Sequence, residues 1–505
     1  MTEASKQLIG KREKLAQLDH RLNEEPFRDS LFQIRGRQFI MEQFCKFTSK
    51  NSHNHAMTIG EYAVLYLMAW SPALWKVMMD EGYFLSFEEA VKKNKMYFVF
   101  NDASQHQDEH EIEIFLDENR YYEHVAEVED IYQTIYSTRR LLANIPTYMI
   151  FDDHDITDDW NINLDWKKNV NQSNPGRHVI ANGLAAYWLF QGWGNDPTSF
   201  SPIFLRKMAK YFKSYQLSSY AHDAWETQLL KYDSWNFVAP TKPKAIFLDT
   251  RTQREFDLSP VPLRLGRLIK EKESPPQLIG KNRWQKISDC LFKSGWSSGE
   301  QLFVISPTPV YGIRLIESFL HQYIYPLKII GFPVNTTFDF EAWKYNGEGF
   351  SEMLHRLKDW NASRIYILSG DVHYASAVTS KIEFRHGEHL CLHQFTSSPM
   401  NNMSFPGLWG GLLKKFVNFY IRNRRKKELS RYCNEGFKII KQRKNDSCPS
   451  TFTWREKIRY LATDNNNIIE LDNNIGLLTL SADSIQNTLL QKDKELQFET
   501  INLSN

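Results

Sequence analysis

The sequence predicts an α/β protein, a layered sheet core flanked by helices with polar groups gathered at strand ends. Three observations carry that expectation. Four apolar runs lie in Tyr148 to Phe151, Pro243 to Arg254, Gln301 to Pro309 and Ile365 to Leu368, and each stops at polar or charged residues. Segments of helical period lie between them, clearest in Tyr121 to Ala143, where Val125, Val128, Ile131, Tyr132, Ile135 and Leu142 share a face. Of the 505 residues 42% are hydrophobic and 14% aromatic, which supplies a sizeable core and excludes a disordered chain. That length suits two or three domains or one large α/β unit, and a change of character beyond Pro399 divides it into residues 1–400 and an extension, 401–505.

In chain order, Lys11 to Leu22 reads as an exposed helix with a thin apolar face, Leu15, Leu18 and Leu22. Thr58-Ile-Gly-Glu61 is a capping box opening an apolar helix from Tyr62 to Trp70, which Pro72 ends or restarts. The pair His53 and His55 could bind a metal from one side of a strand, but the surrounding Asn51, Ser52 and Asn54 favour a capping loop. His106-Gln-Asp-Glu-His110 matches the pattern of inverted zinc peptidases, chemistry that needs a buried helix. Its polar setting argues against that, and the alternation Glu111-Ile-Glu-Ile-Phe115 predicts an edge strand. Tyr121 to Ala143 is expected to pack on the sheet and deliver the chain through Pro146 into the first apolar run. Trp160 to Asn174 reads as a pocket floor or a long surface loop, Gly183 to Trp193 and Arg206 to Lys231 as further helices, and Ile269 to Asn282, with Pro275 and Pro276, as an exposed insertion. Leu408 to Ile421 is amphipathic and runs into Arg422 to Lys427, with Lys438, Lys441, Arg443 and Lys444 beyond. Residues 408–427 either touch an anionic membrane surface weakly or form a helix with a solvated charged face. Asn465 to Asn505 is expected to form strands that close the sheet.

A net charge of +2 is too small to argue for a nucleic-acid partner. Cys45, Cys290, Cys391, Cys433 and Cys448 are odd in number and never spaced as Cys-x-x-Cys, which fits reduced thiols and a cytoplasmic location. No uninterrupted apolar stretch nears the roughly 18 residues of a membrane-spanning helix.

The chemistry gathers in two stretches. After Tyr148 to Phe151 come Asp152, Asp153, His154 and Asp155, with Asp158 and Asp159 close behind. So many carboxylates beside one imidazole repel one another unless compensated, which points to a metal site, the alternative being a solvated acidic loop that caps a helix. The second stretch repeats the logic: Ile365 to Leu368 is followed by Ser369, Gly370, Asp371 and His373. Carboxylate oxygen and imidazole nitrogen are the ligands divalent metals take, and open α/β sheets bind at strand carboxyl ends. In the third run, Arg251 and Arg254 could fork onto phosphate oxygens, or Arg251 could pair with Asp249 or Glu255.

The segments Asp152-Asp153-His154-Asp155 and Ser369-Gly370-Asp371-Val372-His373-Tyr374 resemble the PhoD-like (alkaline phosphatase D) metallophosphatases, a branch of the calcineurin-like metallophosphoesterases. Tyr66-Leu-Met-Ala-Trp-Ser-Pro-Ala-Leu-Trp75, Gln191-Gly-Trp-Gly-Asn195 and Leu248-Asp-Thr-Arg251 occur in family-like order, and the resemblance covers Glu25 to Pro399. It implies a metallophosphoesterase-like sheet core and hydrolysis of a small phosphoester by water activated on two divalent or trivalent metal ions. By the same resemblance Asp153, Asp371 and His373 are metal ligands, His154 is the general acid, and Asp155 orients His154. Arg251 and Arg254 then stand at the phosphate, and Asp249 is a weaker carry-over.

The sequence departs from the family in one respect. The family's early Gly-Asp-x-x-Tyr or Gly-Asp-x-x-Asp element should precede Tyr66, yet Gly-Asp occurs once, at Gly370-Asp371. Two expectations follow: an enzyme whose first strands lie upstream of Met1 or on another polypeptide, or a non-catalytic remnant that binds one metal weakly or acts through contacts.

Overall fold

The structure, a computed structural model, describes residues 19, 21–22, 27–31, 33–49, 52–81, 85–100, 105–158, 160–214, 220–233, 235–256, 261–265, 268–272, 275–312, 342–372, 374–397, 428–442 and 451–503. Most of the expected helix Lys11 to Leu22, together with Asp159, His373, residues 408–427, Arg443, Lys444 and Cys448, lies outside them. The protein is mixed α/β and divides into two compact units, Met1–Asp233 and Ser234–Asn505.

The first unit is helical in its described residues. The capping box is present: Thr58 Oγ1 accepts the Glu61 N–H at 3.2 Å, and Glu61 Oε2 accepts the Thr58 N–H at 3.1 Å. The helix Ile59–Trp70 ends at Ser71, and Pro72 restarts the chain at the first position of Pro72–Asp80, where a missing N–H costs nothing. One helix, Gln107–Asn144, runs for 38 residues and takes in Glu111 to Phe115, correcting the expected edge strand. The alternation there misleads because the polar residues face inward. Glu113 and Asp117, one turn apart, both pair with Arg35, and Glu113 also accepts the N–H groups of Val99 and Phe100, while Ile112, Phe115 and Leu116 are exposed. His106 stands before the first turn of that helix, so the two histidines do not share the helical face a zinc peptidase requires. Val128 and Ile135 pack against Val64, Met68, Trp75 and Met78, so the face expected on the sheet covers helices instead.

Trp160 to Asn174, expected as a loop or pocket floor, contains the helix Leu164–Gln172, capped by Asn163, which accepts the Trp166 N–H at 2.7 Å. Asn174–Tyr187 then continues through a π turn, Trp188–Gly192. Buried in this unit, His178 is clasped between two carboxylates, Nδ1 to Glu226 at 2.5 Å and Nε2 to Asp19 at 2.9 Å, with Arg21 on Glu226 at 2.9 Å. Burial would depress the imidazole pKa, but the charges of Asp19 and Glu226 outweigh it and push it up to about 9.

The second unit is built on a nine-stranded sheet. Its strands are β1 (Phe237–Ala239) and β2 (Lys244–Phe247), then, after a separate hairpin of β3 (Val261–Leu265) and β4 (Leu268–Lys272), β5 (Gln301–Ser306), β6 (Arg364–Ser369), β7 (Ser376–Phe384), β8 (His389–Thr396), β9 (Glu428–Cys433), β10 (Ile439–Gln442) and β11 (Trp454–Tyr460). The order is β1-β2-β5-β6-β8-β7-β11-β9-β10, with β2, β5, β6 and β8 mutually parallel. Three of the four runs read from the sequence are therefore neighbours in one sheet, their carboxyl ends side by side.

Alternation along the strands sorts two cores. Ile365 and Ile367 of β6, Leu302 and Val304 of β5 and Val378 of β7 face the helices Trp284–Lys293 and Gly347–Trp360, with Trp284, Leu291, Phe350 and Leu354. Tyr366, Ala377 and Phe395 face the other way, onto Ile485, Leu489, Leu496 and Phe498. Of these, Ile485, Leu489 and Leu496 belong to a sheet of β12 (Ile475–Leu480), β13 (Ser484–Leu490), β14 (Glu495–Gln497) and β15 (Ile501–Asn502). The tail therefore forms strands as expected, but they make their own sheet layered on the first rather than closing it. The expected exposed insertion Ile269 to Asn282 is also corrected: Leu278 and Ile279 are buried in the main core. Among the described residues no helix is long and apolar enough to cross a membrane.

Candidate functional site

In the first unit, Tyr148 to Phe151 is extended but forms no strand, which corrects the sequence reading. A side-chain amide takes the place of a neighbouring strand: Asn195 Oδ1 accepts the Met149 N–H at 3.0 Å, and its Nδ2 donates to the Met149 carbonyl at 2.6 Å. Phe151 is buried edge-on to Trp160 and Tyr187 at 5.3 and 4.7 Å. Beyond it Asp153–Asp155 turns as a single 3₁₀ turn, fixed by the Asp153 carbonyl accepting from Ile156 and Thr157. Ile156 seats this turn on the helix Asn174–Tyr187 at Gly183, where a Cβ would approach its side chain within 2.9 Å. Asp153 is buried and accepts the His154 N–H on Oδ1 at 2.9 Å, while His154 is exposed.

Asp155 is the hub of this half. Its Oδ1 accepts from Gln191 Nε2 at 2.8 Å and from the Tyr66 hydroxyl at 3.3 Å, its Oδ2 accepts the Asp152 N–H at 2.9 Å, and Gln191 also donates to Tyr66 at 2.8 Å. Burial pushes the Asp155 carboxyl up to about 7 against the opposing pull of these donors. Sequence reading gave Tyr66, Gln191 and Asn195 no role of their own. The available signal was their position, since two of them open and one closes segments already noted for their order.

In the second unit, the ends of β2, β5, β6 and β8 carry the polar groups. Asp249 is buried and closes the turn after β2, accepting the N–H groups of Arg251 at 3.0 Å and Thr252 at 2.9 Å and the Thr252 hydroxyl. Burial raises its pKa. Arg251 therefore meets Asp249 through its backbone, and its guanidinium reaches Asp371 after β6, Nη2 to Oδ2 at 3.3 Å. Arg254 is buried too, with Nε on the Thr250 carbonyl at 3.0 Å. Asp371 has φ +66°, the left-handed region that a non-glycine residue seldom occupies, and it is the central residue of a tight turn in which the Val372 N–H returns to the Gly370 carbonyl at 2.8 Å. Ser369 and Thr396, on adjacent strands, join hydroxyls at 2.8 Å.

Asp153 and His154 in the first unit, and Asp371 in the second, each carry a ligand atom of the kind that metal ions take. Carboxylate and imidazole together suit a divalent transition metal better than Ca²⁺ or Mg²⁺, which prefer all-oxygen sets. Comparison with protein-family models, with curated proteins and with solved structures finds no significant match.

Proposed function

We propose that the protein is a PhoD-like metallophosphatase acting on a small phosphoester, with Asp153, Asp371 and His373 as metal ligands and His154 as the general acid, all by resemblance. The observation that carries this reading is the gathering of the resembling segments around single carboxylates. Tyr66, Gln191 and the Asp152 backbone, from three of them, meet on Asp155. Leu248 to Arg251 and the Ser369 to Tyr374 segment meet at the Arg251–Asp371 pair. A solvated acidic loop has no use for that degree of support.

When bound, the cation, two ions by resemblance, would polarise a phosphoryl oxygen and lower the pKa of water. The protein's part is distinct. Asp155, held from three sides, fixes the turn that carries His154, whose exposed imidazole would donate a proton to the leaving oxygen. Arg251 orients the Asp371 carboxylate, and with Arg254 it adds positive potential at the strand ends where a phosphoryl group would sit. The free thiols Cys45, Cys290, Cys391 and Cys433 suit a reducing compartment, the cytoplasm.

A second reading, a non-catalytic remnant, is favoured by one observation. The buried Arg251 guanidinium already neutralises Asp371, as a metal would. Turnover of p-nitrophenyl phosphate and bis-p-nitrophenyl phosphate, measured with Mn²⁺, Zn²⁺ and Fe³⁺ in turn, separates the two. The enzyme reading expects metal-dependent hydrolysis that falls about 10²- to 10⁴-fold in His154→Ala. No turnover with any of these metals would leave the remnant.

A further inference from the structure

In the small sheet of the second unit, β13 pairs with β12 on one side and with β14 and β15 on the other, so β12 is an edge strand among the described residues. Two bonds fix the direction of its peptide groups. The Ser481 N–H returns to the Ser484 carbonyl at 2.9 Å across the hairpin turn, and the Gly476 N–H leaves the sheet for Ser397 Oγ at 2.8 Å. Peptide groups alternate along a strand, so Ile475, Leu477 and Thr479 bond to β13, while Gly476, Leu478 and Leu480 point their N–H and C=O groups away from it. Ser397 occupies the Gly476 end, where a Cβ on Gly476 would approach its side chain within 2.9 Å. The outward peptide groups of Leu478 and Leu480 meet no partner among the described residues.

This edge carries none of the usual guards. Proteins blunt a free edge with lysine, proline or a bulge. Ile475-Gly-Leu-Leu-Thr-Leu480 has no charge and no proline, and its register with β13 runs unbroken from Ile475 opposite Leu490 to Leu480 opposite Ile485. Ile475 and Leu477 are each 51% exposed. Leu478 and Leu480 turn their side chains onto the core that holds Leu489 and Phe498, which keeps the strand in place.

We propose that β12 pairs edge to edge with β12 of a second copy, antiparallel about a two-fold axis at Thr479. In that register Leu478 of one chain and Leu480 of the other exchange both backbone hydrogen bonds, and the axis repeats the exchange, so the open groups of both residues are satisfied. Thr479 meets Thr479 of the second copy, and Leu477 meets Ser481. The strand itself selects this occupant. A partner here must be extended, apolar and uncharged, and β12 is all three. Asp483, in the hairpin turn, falls opposite Ile475, so the axis brings no like charges together, and a two-fold contact closes at two chains.

Sedimentation velocity of the full chain at concentrations up to about 200 µM, with amide hydrogen exchange under the same conditions, tests this. The proposal expects a reversible monomer–dimer equilibrium with a micromolar Kd and slower exchange at Leu478 and Leu480 as the dimer forms. Thr479→Lys sets two ammonium groups against each other at the axis and should weaken the dimer about fivefold or more, as should Thr479→Glu. An equimolar mixture of the two variants should restore it. Thr479 is exposed and its peptide group faces β13, so neither change disturbs the sheet. A single-chain mass at every concentration, a dimer indifferent to Thr479→Lys, no recovery in the mixture, or unaltered exchange at Leu478 and Leu480 would each overturn the proposal. Slow exchange of those amides at a single chain's mass would put another segment on the edge and overturn it equally. The variants leave Asp153, His154 and Asp371 intact, so this pairing and the phosphatase reading stand or fall separately.

Discussion

Two side chains set the residue-scale behaviour of the first unit. Gln191 donates to Asp155 and to the Tyr66 hydroxyl, so Gln191→Leu leaves a buried carboxyl short of a donor. The expected cost is about 1–3 kcal/mol in urea unfolding, with little change in surface exposed. His178 adds a pH dependence whose sign follows from its surroundings. Its pKa lies near 6.5 when unfolded and about 9 when folded, so the folded state binds the proton more tightly. That stabilisation is fully present below 6.5 and is lost as pH rises through 9. The urea midpoint should therefore fall between pH 6.5 and 9.5, and His178→Gln, less stable throughout, should show a flatter profile. A midpoint that climbs across that interval in the parent protein would contradict the Asp19–His178–Glu226 clasp.

At the scale of elements, three of the four runs read as strands have a neighbour to pair with. β2, β5 and β6 were readable because each is an apolar run that ends at a polar turn, and each pairs in parallel with its neighbour. Tyr148 to Phe151 carries the same local signature but pairs with no strand among the described residues. Its backbone is satisfied by Asn195, a side chain 46 residues away that no local pattern reveals. Asn195→Ala removes both bonds and should destabilise the protein by about 2 kcal/mol in a denaturant melt, against a few tenths for an exposed asparagine. Glu111 to Phe115 failed for a related reason. Period two is decisive only when the apolar residues are the buried ones, and there Arg35 buries Glu113 and Asp117 instead. The candidate site was legible as two acidic stretches. The support of Asp155 was not, because hydrogen-bonded hubs depend on distant residues. Thr58 is the opposite case, a cap visible in four letters, and Thr58→Ala should cost about 1 kcal/mol by the same melt.

Across the whole molecule, each unit carries part of the proposed chemistry. The helical unit carries Asp153, His154 and Asp155 on a turn held by Tyr62, whose hydroxyl meets the Ile156 carbonyl at 3.1 Å, and by Gln191 and Tyr66. The sheet unit carries Asp371 and Arg251 at the ends of parallel strands, where open α/β sheets place ligands. By resemblance, the proposed phosphatase takes metal ligands from both acidic stretches. Titration of the full chain with Mn²⁺, followed by calorimetry at neutral pH, measures this directly. The account predicts saturable binding that weakens about tenfold or more in Asp153→Asn and, separately, in Asp371→Asn. Binding that is absent, or that is unchanged in either variant, would contradict it.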